Sequence, residues 1–383
     1  MRMKNNLLSY AEYTEESFPD WTVEEFDSIQ ENHHFSRRYK SARNRAIRNY
    51  RRKRTGKWSF RTAAAVIAVC MACPAVVYAS VTHADFFRNA FGDAGRKSVV
   101  SHTELADNGN GNGGKIEITY PERNYVPVDP DKADSLIGEQ TSTEPVTVDI
   151  NDHRLTILSA VRDRNAMTME FTLECSTGVT VYDFDSLSNE AKGARTADNA
   201  TIRLLFDNAS DFIYIDHAKS TDTLLHCYAY CVFENPVEDG EEPKLDIYYA
   251  DTPLLSLPEN ENPQEKQISI PATKALAVTA YSSEEGGHLE LSPISCSIDL
   301  GKGLGLSQEE ASDPGNLGKV SIHYTDGSVY EVYDKDTNID NTSYMLGGVG
   351  EKYSVITMNL NRLVDVNQVD YITVNDVKYT VAH

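Results

Sequence analysis

The chain lacks the short motifs that mark the common hydrolases and metalloenzymes. It contains no G-x-S-x-G, no H-E-x-x-H and no Ser-x-x-Lys segment, the patterns that supply nucleophiles, bases or metal ligands in several large enzyme classes. The histidines His153, His217, His288 and His323 do not have the spacing of metal ligands. We therefore expect a protein that is not an enzyme and needs no cofactor, and a hydrolase of surface polymers has no motif in its favour.

Cysteine is absent from residues 1–61 and scarce elsewhere. The six cysteines are Cys70, Cys73, Cys175, Cys227, Cys231 and Cys296. Cys227 and Cys231 lie in one predicted strand, about 13 Å apart, which is too far for a direct disulfide. A disulfide from either to Cys175 stays open. His226 points away from both cysteines of that strand, so we expect buried free thiols rather than a zinc site.

Charge is missing from a run near the N-terminus. No Asp, Glu, Lys or Arg occurs from Thr62 to Ala84, and a helix of about 20 apolar residues crosses a bilayer. Residues 32–61 contain 12 Lys or Arg and no Asp or Glu, which predicts a cytoplasmic N-terminus and an extracellular C-terminal part. A buried core helix and a cleaved signal peptide are the alternatives.

The two sides of this predicted span differ in charge. Residues 1–61 hold 14 basic and 8 acidic side chains, a net charge of +6, and the remainder carries −28. Such asymmetry indicates different environments or partners. Because an acidic surface repels anionic polymers, we expect no nucleic-acid binding outside the membrane.

The segment PDWTVEEFDSIQ predicts a helix start. Thr22 and Glu25 form a capping box, and an apolar pair flanks it as a hydrophobic staple. The candidate partner-binding residues share one side of that helix: Trp21, Val23, Phe26 and Ile29. A short amphipathic helix without a core of its own is suited to docking on a partner, and a frayed, solvated tail is the alternative.

A basic run follows this helix. Its candidate membrane-surface residues are Arg37, Arg38, Arg43, Arg48, Arg51, Arg52, Lys53 and Arg54. Clustered arginines also bind nucleic-acid phosphates. Next to a span, however, they set topology and attract anionic lipid headgroups, so membrane lipid is the expected partner.

Beyond the span, little regular structure is expected before Val146. Phe86, Phe87 and Phe91 form a short amphipathic piece that we expect at the membrane surface. The segment 108–114 predicts a flexible joint, and the prolines that follow predict a linker.

From Val146 onward the chain alternates apolar and polar residues in short runs. The predicted core face of the first runs comprises Leu155, Ile157, Met167, Met169, Phe171 and Leu173. Asp326-Gly327 and Asn375-Asp376 predict two-residue hairpin turns. The pattern predicts a mainly β protein with two immunoglobulin-like antiparallel β-sandwiches.

One segment has a partial calcium-loop pattern. Asp334, Asp336, Asn338 and Asp340 match its first four ligand positions. Ile339 replaces the glycine of such a loop and Met345 its glutamate. We expect an acidic loop between strands, so these residues are only a weak calcium candidate, and we predict no metal site.

The span, the following DFFRNAFGD and the segments TVDINDHRLTILSAVRDRNAMTMEFTLE, LELSPISCSID and VDVNQVDYITVNDVKYTV resemble a family of Gram-positive bacterial single-pass membrane proteins. That family carries a domain of unknown function, and many members are assigned as anti-sigma factors. The resemblance implies a sigma factor bound inside and an envelope signal or unknown ligand sensed outside. Because residues 1–61 contain no cysteine, a zinc-binding anti-sigma domain is not expected there, and helix packing must bind the partner.

The expected division has five parts. These are a cytoplasmic helical and basic segment (1–61), a transmembrane helix (62–82), a juxtamembrane segment and linker (83–145) and two β-sandwich domains (146–262 and 263–383). The expected function is a membrane-anchored signalling regulator in the cell membrane. The alternative is a cell-surface binding or adhesion module, in which residues 1–61 act only as an anchor.

Overall fold

A computed structural model describes the chain from His83 onward. The described residues are 83–92, 96–107, 115–179, 184–185, 201–251, 254, 257, 261–311, 313–349 and 352–382. They belong to one compact unit, residues 75–383. The predicted cytoplasmic segment and the predicted span, residues 62–82, lie outside the described residues. Among the helices that are described, none has the length and apolar character needed to cross a membrane.

Residues 83–145, predicted as a juxtamembrane segment and linker, contain regular structure. The elements are α1 (His83–Phe91), β1 (His102–Asp107), β2 (Lys115–Tyr120) and α2 (Pro130–Ile137). Strands β1 and β2 pair antiparallel, while the predicted joint at 108–114 lies outside the described residues. Asp129 caps α2 by accepting hydrogen bonds from the backbone N–H groups of Asp131 and Lys132. Pro130 occupies a first-turn position, where a missing N–H costs nothing, so this proline starts a helix instead of marking a linker.

Two sheets pack face to face in the first β unit. The five-stranded sheet has the order β3 (Val146–Ile150), β4 (His153–Arg162), β5 (Ala166–Cys175), β9 (Leu224–Phe233) and β8 (Ala209–Ile215). The four-stranded sheet has the order β11 (Gln264–Ser269), β10 (Lys244–Tyr249), β7 (Ile202–Phe206) and β6 (Phe184–Asp185). All pairs are antiparallel except β6–β7. The six predicted core residues all lie in the shared core, which confirms the predicted period-two pattern.

The four cysteines of the described part are free and buried. Cys227 and Cys231 point into this core, and His226 lies on the opposite face of β9, 3.1 Å from the Glu170 carboxylate. The expectation of buried free thiols is confirmed. The cross-strand neighbours of Cys227 and Cys231 on β5 are Phe171 and Met167, so neither cysteine faces Cys175.

The first β unit continues beyond its predicted end at residue 262. Strand β11 pairs with β10, with Ile268 opposite Leu245, and Ile270 and Ala272 also lie in the first core. The prolines Pro258 and Pro263 therefore precede the last strand of this unit. The predicted boundary was wrong because proline marks a break in a strand, which occurs within a domain as well as between domains.

The second β unit is built from one ten-stranded antiparallel sheet. Its strands are β12 (Thr279–Ser283), β13 (His288–Leu291), β14 (Ser295–Asp299), β15 (Lys319–Tyr324), β16 (Val329–Asp334), β17 (Ile339–Asp340), β18 (Thr342–Val349), β19 (Lys352–Leu360), β20 (Val369–Val374) and β21 (Val377–Val381). Their order is β17-β16-β15-β20-β21-β12-β13-β14-β19-β18. A short helix, α3 (Gln308–Ala311), precedes β15.

This sheet folds over on itself. Side chains from both halves of the strand order, among them Ile298 of β14 and Ile322 of β15, share one core. The halves are joined by the three-residue pairing of β12 with β21. The two-residue turn predicted at Asn375-Asp376 is confirmed, since Val374 pairs with Val377 and the two turn residues have φ values of 47° and 67°, as such a turn requires. Asp326-Gly327 also lies in a hairpin, but its loop has three residues (325–327), because the N–H of Tyr324 donates to the carbonyl of Ser328 at 2.9 Å. There Gly327 alone has a positive φ, 84°. The prediction of a mainly β chain of antiparallel sheets is confirmed.

A buried arginine binds the segment that connects the two β units. Arg162 is 0% exposed, and its guanidinium group donates hydrogen bonds to six backbone carbonyls: Ala272, Asp163, Val237, Glu238, Glu241 and Thr273. The backbone carbonyl of Arg162 also accepts from the N–H of Leu276 at 2.8 Å. Ala272 and Thr273 lie on the connecting segment, whereas Val237, Glu238 and Glu241 lie on the loop between β9 and β10. Because buried carbonyls need partners, this one side chain holds both segments against β4.

The next residue binds the second β unit directly. Asp163 is buried and accepts hydrogen bonds from the hydroxyls of Ser292 and Ser295, which flank the turn between β13 and β14. It also accepts from the backbone N–H groups of Asn165 and Ala166. Burial raises the pKa of Asp163, and these four hydrogen bonds act against that rise.

We predict that Arg162→Met lowers the free energy of unfolding of residues 75–383 by about 3 kcal/mol or more, because several buried carbonyls lose their donor. Urea unfolding followed by circular dichroism measures it. The matched control is Arg154→Met on the same strand, whose half-exposed side chain pairs with Asp149 and whose loss should cost about 1 kcal/mol or less. Equal losses in the two variants would contradict a structural role for Arg162.

Candidate functional site

The face of helix α1 that was expected at the membrane surface lies inside the protein. Phe86, Phe87, Ala90 and Phe91 are each 0% exposed. The spacing of these residues places 86 with 90 and 87 with 91 on one side of the helix, one turn apart. The membrane-surface expectation for the phenylalanines was wrong, because a protein surface buries the same apolar face that a bilayer would.

The surface that receives this face is defined here as the α1 site. It combines side chains from the outer face of the five-stranded sheet, from α2, from the connecting segment and from the β13–β14 turn: Val161, Tyr228, Tyr230, Ala133, Ile137, Leu276 and Ile294. Within it, the ring of Phe86 lies 6.0 Å from that of Phe87 and 6.1 Å from that of Phe91. Burying each phenylalanine contributes about 1.5–3 kcal/mol. The α1 site therefore includes residues of both β units.

A second set of contacts holds the C-terminal end of α1. The hydroxyl of Tyr230 donates to the carbonyl of Ala90 at 3.0 Å, and it accepts a hydrogen bond from Arg96. The guanidinium of Arg96 lies 4.7 Å from the ring centre of Tyr214, 5.2 Å from that of Tyr230 and 5.5 Å from that of Tyr125. Burial raises the pKa of Tyr230, so its hydroxyl keeps the proton it donates. The cation and the three rings hold the segment after α1 against the sheet.

A buried carboxylate supports the same face of the sheet. Glu170 is 1% exposed and accepts a hydrogen bond from the hydroxyl of Tyr228 at 2.9 Å. His226 Nε2 lies 3.1 Å and Lys219 Nζ 3.7 Å from the same carboxylate oxygen. Burial first, and then the neighbouring Glu170, raise the pKa of Tyr228. The network fixes the Tyr228 ring, which lines the α1 site.

Sequence reasoning did not find the α1 site, although the signal was present. Glu170 lies opposite Tyr228 and Thr172 lies opposite His226 across the β5–β9 pair. The polar residues at alternate positions of β5 thus lie beside aromatic and titratable residues of β9. Alternation of this kind is typical of a strand with one face in the core and one face in solvent. The buried status of these residues depends on α1 and the second β unit, which the local pattern does not reveal.

The predicted site residues lie elsewhere. Trp21, Val23, Phe26 and Ile29 and the basic run from Arg37 to Arg54 lie outside the described residues. In the weak calcium candidate, Asp334 lies 3.0 Å from Lys319 Nζ, and Asp340 lies 3.0 Å from an Arg123 nitrogen.

The remaining contacts of that segment are also internal. Asn338 donates from Nδ2 to the carbonyl of Tyr120 at 3.0 Å, and Asp334 Oδ1 accepts from the backbone N–H groups of Asp336 and Thr337. The segment thus forms a tight turn that binds the β1–β2 hairpin, and the carboxylates of Asp334 and Asp340 already face cations of the protein.

We predict that Phe87→Ala lowers the free energy of unfolding by about 3–5 kcal/mol, because a cavity opens in the α1 site. Amide hydrogen exchange should also become faster throughout α1. Leu105→Ala on strand β1 is the control, since Leu105 is 62% exposed and its truncation should change stability by about 0.5 kcal/mol or less. Unchanged exchange in α1 of the Phe87 variant would show that the helix is held by other contacts.

No family model matches the chain, and no curated protein matches it. Among solved structures, the chain is similar to the conserved domain protein from Bacillus anthracis. The two chains are 12% identical, the match covers 61% of this chain and 76% of that chain, and the TM-score is 0.32. Neither the fold nor the function of this chain is inferred from a likeness of that extent.

Proposed function

We propose that the protein is a membrane-anchored signalling regulator of the anti-sigma-factor type. In this proposal the capped helix with Trp21, Val23, Phe26 and Ile29 binds a sigma factor in the cytoplasm. Residues 62–82 span the membrane, and the basic run contacts lipid headgroups. The two β units, as immunoglobulin-like sandwiches, form the extracellular sensor.

The burial of α1 supports this proposal. Helix α1 begins at His83, directly after the proposed span, and its apolar face is enclosed by residues of both β units. A change in the arrangement of the β units must therefore displace α1 or open its site. Because the proposed span ends at residue 82 and α1 begins at His83, we expect a displacement of α1 to move the span, which is what a transmembrane regulator requires.

The alternative is a cell-surface binding or adhesion module. It is favoured by the size and acidity of the part beyond residue 61, which carries a net charge of −28. An adhesion module requires only a tether between the span and the binding domain, so its function does not depend on the burial of α1. The two proposals therefore differ in what they require of the junction at residue 83.

Partner binding is tested with the full-length protein, solubilised from membranes in detergent. We predict that a sigma factor co-purifies with the wild type and is lost in Phe26→Asp, because a carboxylate is placed on the apolar binding side of the helix. Phe35→Asp is the matched control, since Phe35 lies beyond the predicted helix, and it should keep the partner. Absence of any sigma factor from the wild-type preparation, confirmed by mass spectrometry, contradicts the regulator.

Coupling across the membrane is tested by an insertion. We predict that four residues, Gly-Ser-Gly-Ser, placed between Thr82 and His83 change transcription from a promoter of that sigma factor while the amount of protein in the membrane stays constant. The same insertion between Asn110 and Gly111, in the chain's own glycine-rich segment, is the control and should leave transcription at the wild-type level. Equal transcription in both variants would favour the adhesion module.

A further inference from the structure

Three metal-ligating side chains meet at one end of the first β unit. Asn151 and Asp152 form the turn between β3 and β4, in which Asn151 has a φ of 52°. His153 opens β4 and lies directly opposite Cys175, the last residue of β5. The register of two neighbouring strand pairs thus brings residues 152, 153 and 175 together.

The distances between these side chains suit a shared cation. Asp152 Oδ1 lies 2.9 Å from His153 Nδ1, and Asp152 Oδ2 lies 3.3 Å from Cys175 Sγ. The three ligand atoms all lie within 4.8 Å of one another. Tetrahedral Zn²⁺ with bonds of about 2.0–2.3 Å holds its ligand atoms roughly 3–4 Å apart. Small side-chain movements therefore bring all three atoms to bonding distance.

The histidine of this cluster gives a second, independent indication. His153 is 6% exposed, and among the described residues none forms an aligned hydrogen bond with its Nδ1 atom. A buried polar atom without a hydrogen bond costs free energy, and this one faces the carboxylate of Asp152. A cation between the two groups would give Nδ1 a partner.

The surroundings of the cluster provide access and favourable charge. A cavity of about 400 Å³ opens beside it, with Asp149, Glu174 and Arg154 in its wall. Counting Asp152, three carboxylates face one guanidinium in this wall, and Arg154 is paired with Asp149 at 2.8 Å. The negative balance attracts cations, and the open side leaves room for a fourth ligand from solvent.

We propose that Asp152, His153 and Cys175 bind a divalent cation with affinity for sulfur, with Zn²⁺ the best fit to the ligand set. Thiolate and imidazole ligands select zinc and similar ions over Ca²⁺ and Mg²⁺, which prefer oxygen alone. Binding requires the Cys175 thiol to release its proton to solvent. The site is independent of the proposed signalling function, because it lies on the described β unit and needs no partner protein.

The alternative is a polar cluster held by hydrogen bonds alone. The hydroxyl of Thr177 donates to Asp152 Oδ2 at 2.9 Å and lies 3.1 Å from Cys175 Sγ. These hydrogen bonds give the carboxylate and the thiol partners, but they leave the imidazole Nδ1 of His153 without an aligned hydrogen bond. The metal site and the hydrogen-bonded cluster predict different results, because only a metal site changes the absorption spectrum of the protein when metal is added.

The test is a Co²⁺ titration of the full-length protein, reduced and freed of metal, followed by absorption spectroscopy. We expect one Co²⁺ per chain, a sulfur-to-cobalt charge-transfer band, visible bands of tetrahedral cobalt, and displacement by Zn²⁺. Cys175→Ser should abolish the charge-transfer band. Asp152→Asn and His153→Asn should weaken binding at least about tenfold.

Three controls identify the sulfur and the carboxylate. A variant with Cys70→Ser and Cys73→Ser removes the two cysteines of the proposed span. Cys296→Ser removes a buried thiol of the second β unit, and Asp149→Asn changes a carboxylate of the same cavity wall. All three should keep the band, with affinities within about threefold of the wild type.

Folding of each variant is verified by thermal unfolding in the metal-free state. If the Cys175→Ser variant, changed at a buried position, does not fold, Asp152→Asn, on an exposed turn residue, decides the question. A band that survives Cys175→Ser, a wild-type protein without a band, or binding unchanged in a folded Asp152→Asn variant would overturn the proposal.

Discussion

The architecture depends on the burial of one short helix. Helix α1 is too short to be stable alone, and its three phenylalanines need a surface that excludes water. That surface exists only where the outer face of the five-stranded sheet, helix α2 and the β13–β14 turn come together. The helix, the connection between the β units and the second β unit therefore require one another.

The same constraint explains why the outer face of the five-stranded sheet carries polar residues that are nevertheless buried. On β5, Thr168, Glu170 and Thr172 alternate with the apolar core residues and are all at most 2% exposed. A buried carboxylate is tolerated only with donors or cations around it. Glu170 accepts a hydrogen bond from Tyr228, and His226 Nε2 and Lys219 Nζ lie 3.1 and 3.7 Å from the same oxygen.

Much of the fold could be predicted from local pattern, because a strand with one face in the core shows alternating apolar and polar residues in its own sequence. Leu155, Phe171 and Leu173 were assigned to the core by period alone, and Asp326-Gly327 located a hairpin by its turn chemistry. The predictions failed where burial is decided by a partner distant in sequence. The apolar sequence pattern around Phe87 is the same whether the residue contacts a membrane or packs against Tyr228 and Ile294.

The candidate sites were hidden for a related reason. His153 and Cys175 are 22 positions apart, and only the register of β4 with β5 places them opposite each other. Arg162 and Asp163 have the composition of a solvated turn, but the first binds the carbonyls of Ala272 and Thr273 in the connecting segment and the second binds serines of the other β unit. Spacing along the chain reveals ligand sets on one helix or one loop, and it does not reveal sets assembled across strands.

The contacts between the β units divide into directional and non-directional ones. Asp163 with Ser295, and Asn359 with the carbonyl of Met167 at 3.0 Å, are hydrogen bonds of defined geometry. They set the orientation of the units, whereas the apolar contacts around α1 have no directional preference.

The β13–β14 turn belongs to both classes. Ser292 and Ser295 bind Asp163, while Ile294 between them contacts the apolar cluster around α1. Any rotation that breaks the serine–aspartate contacts must therefore also withdraw Ile294 from that cluster. The orientation of the second β unit and the packing of α1 are thus coupled through this turn.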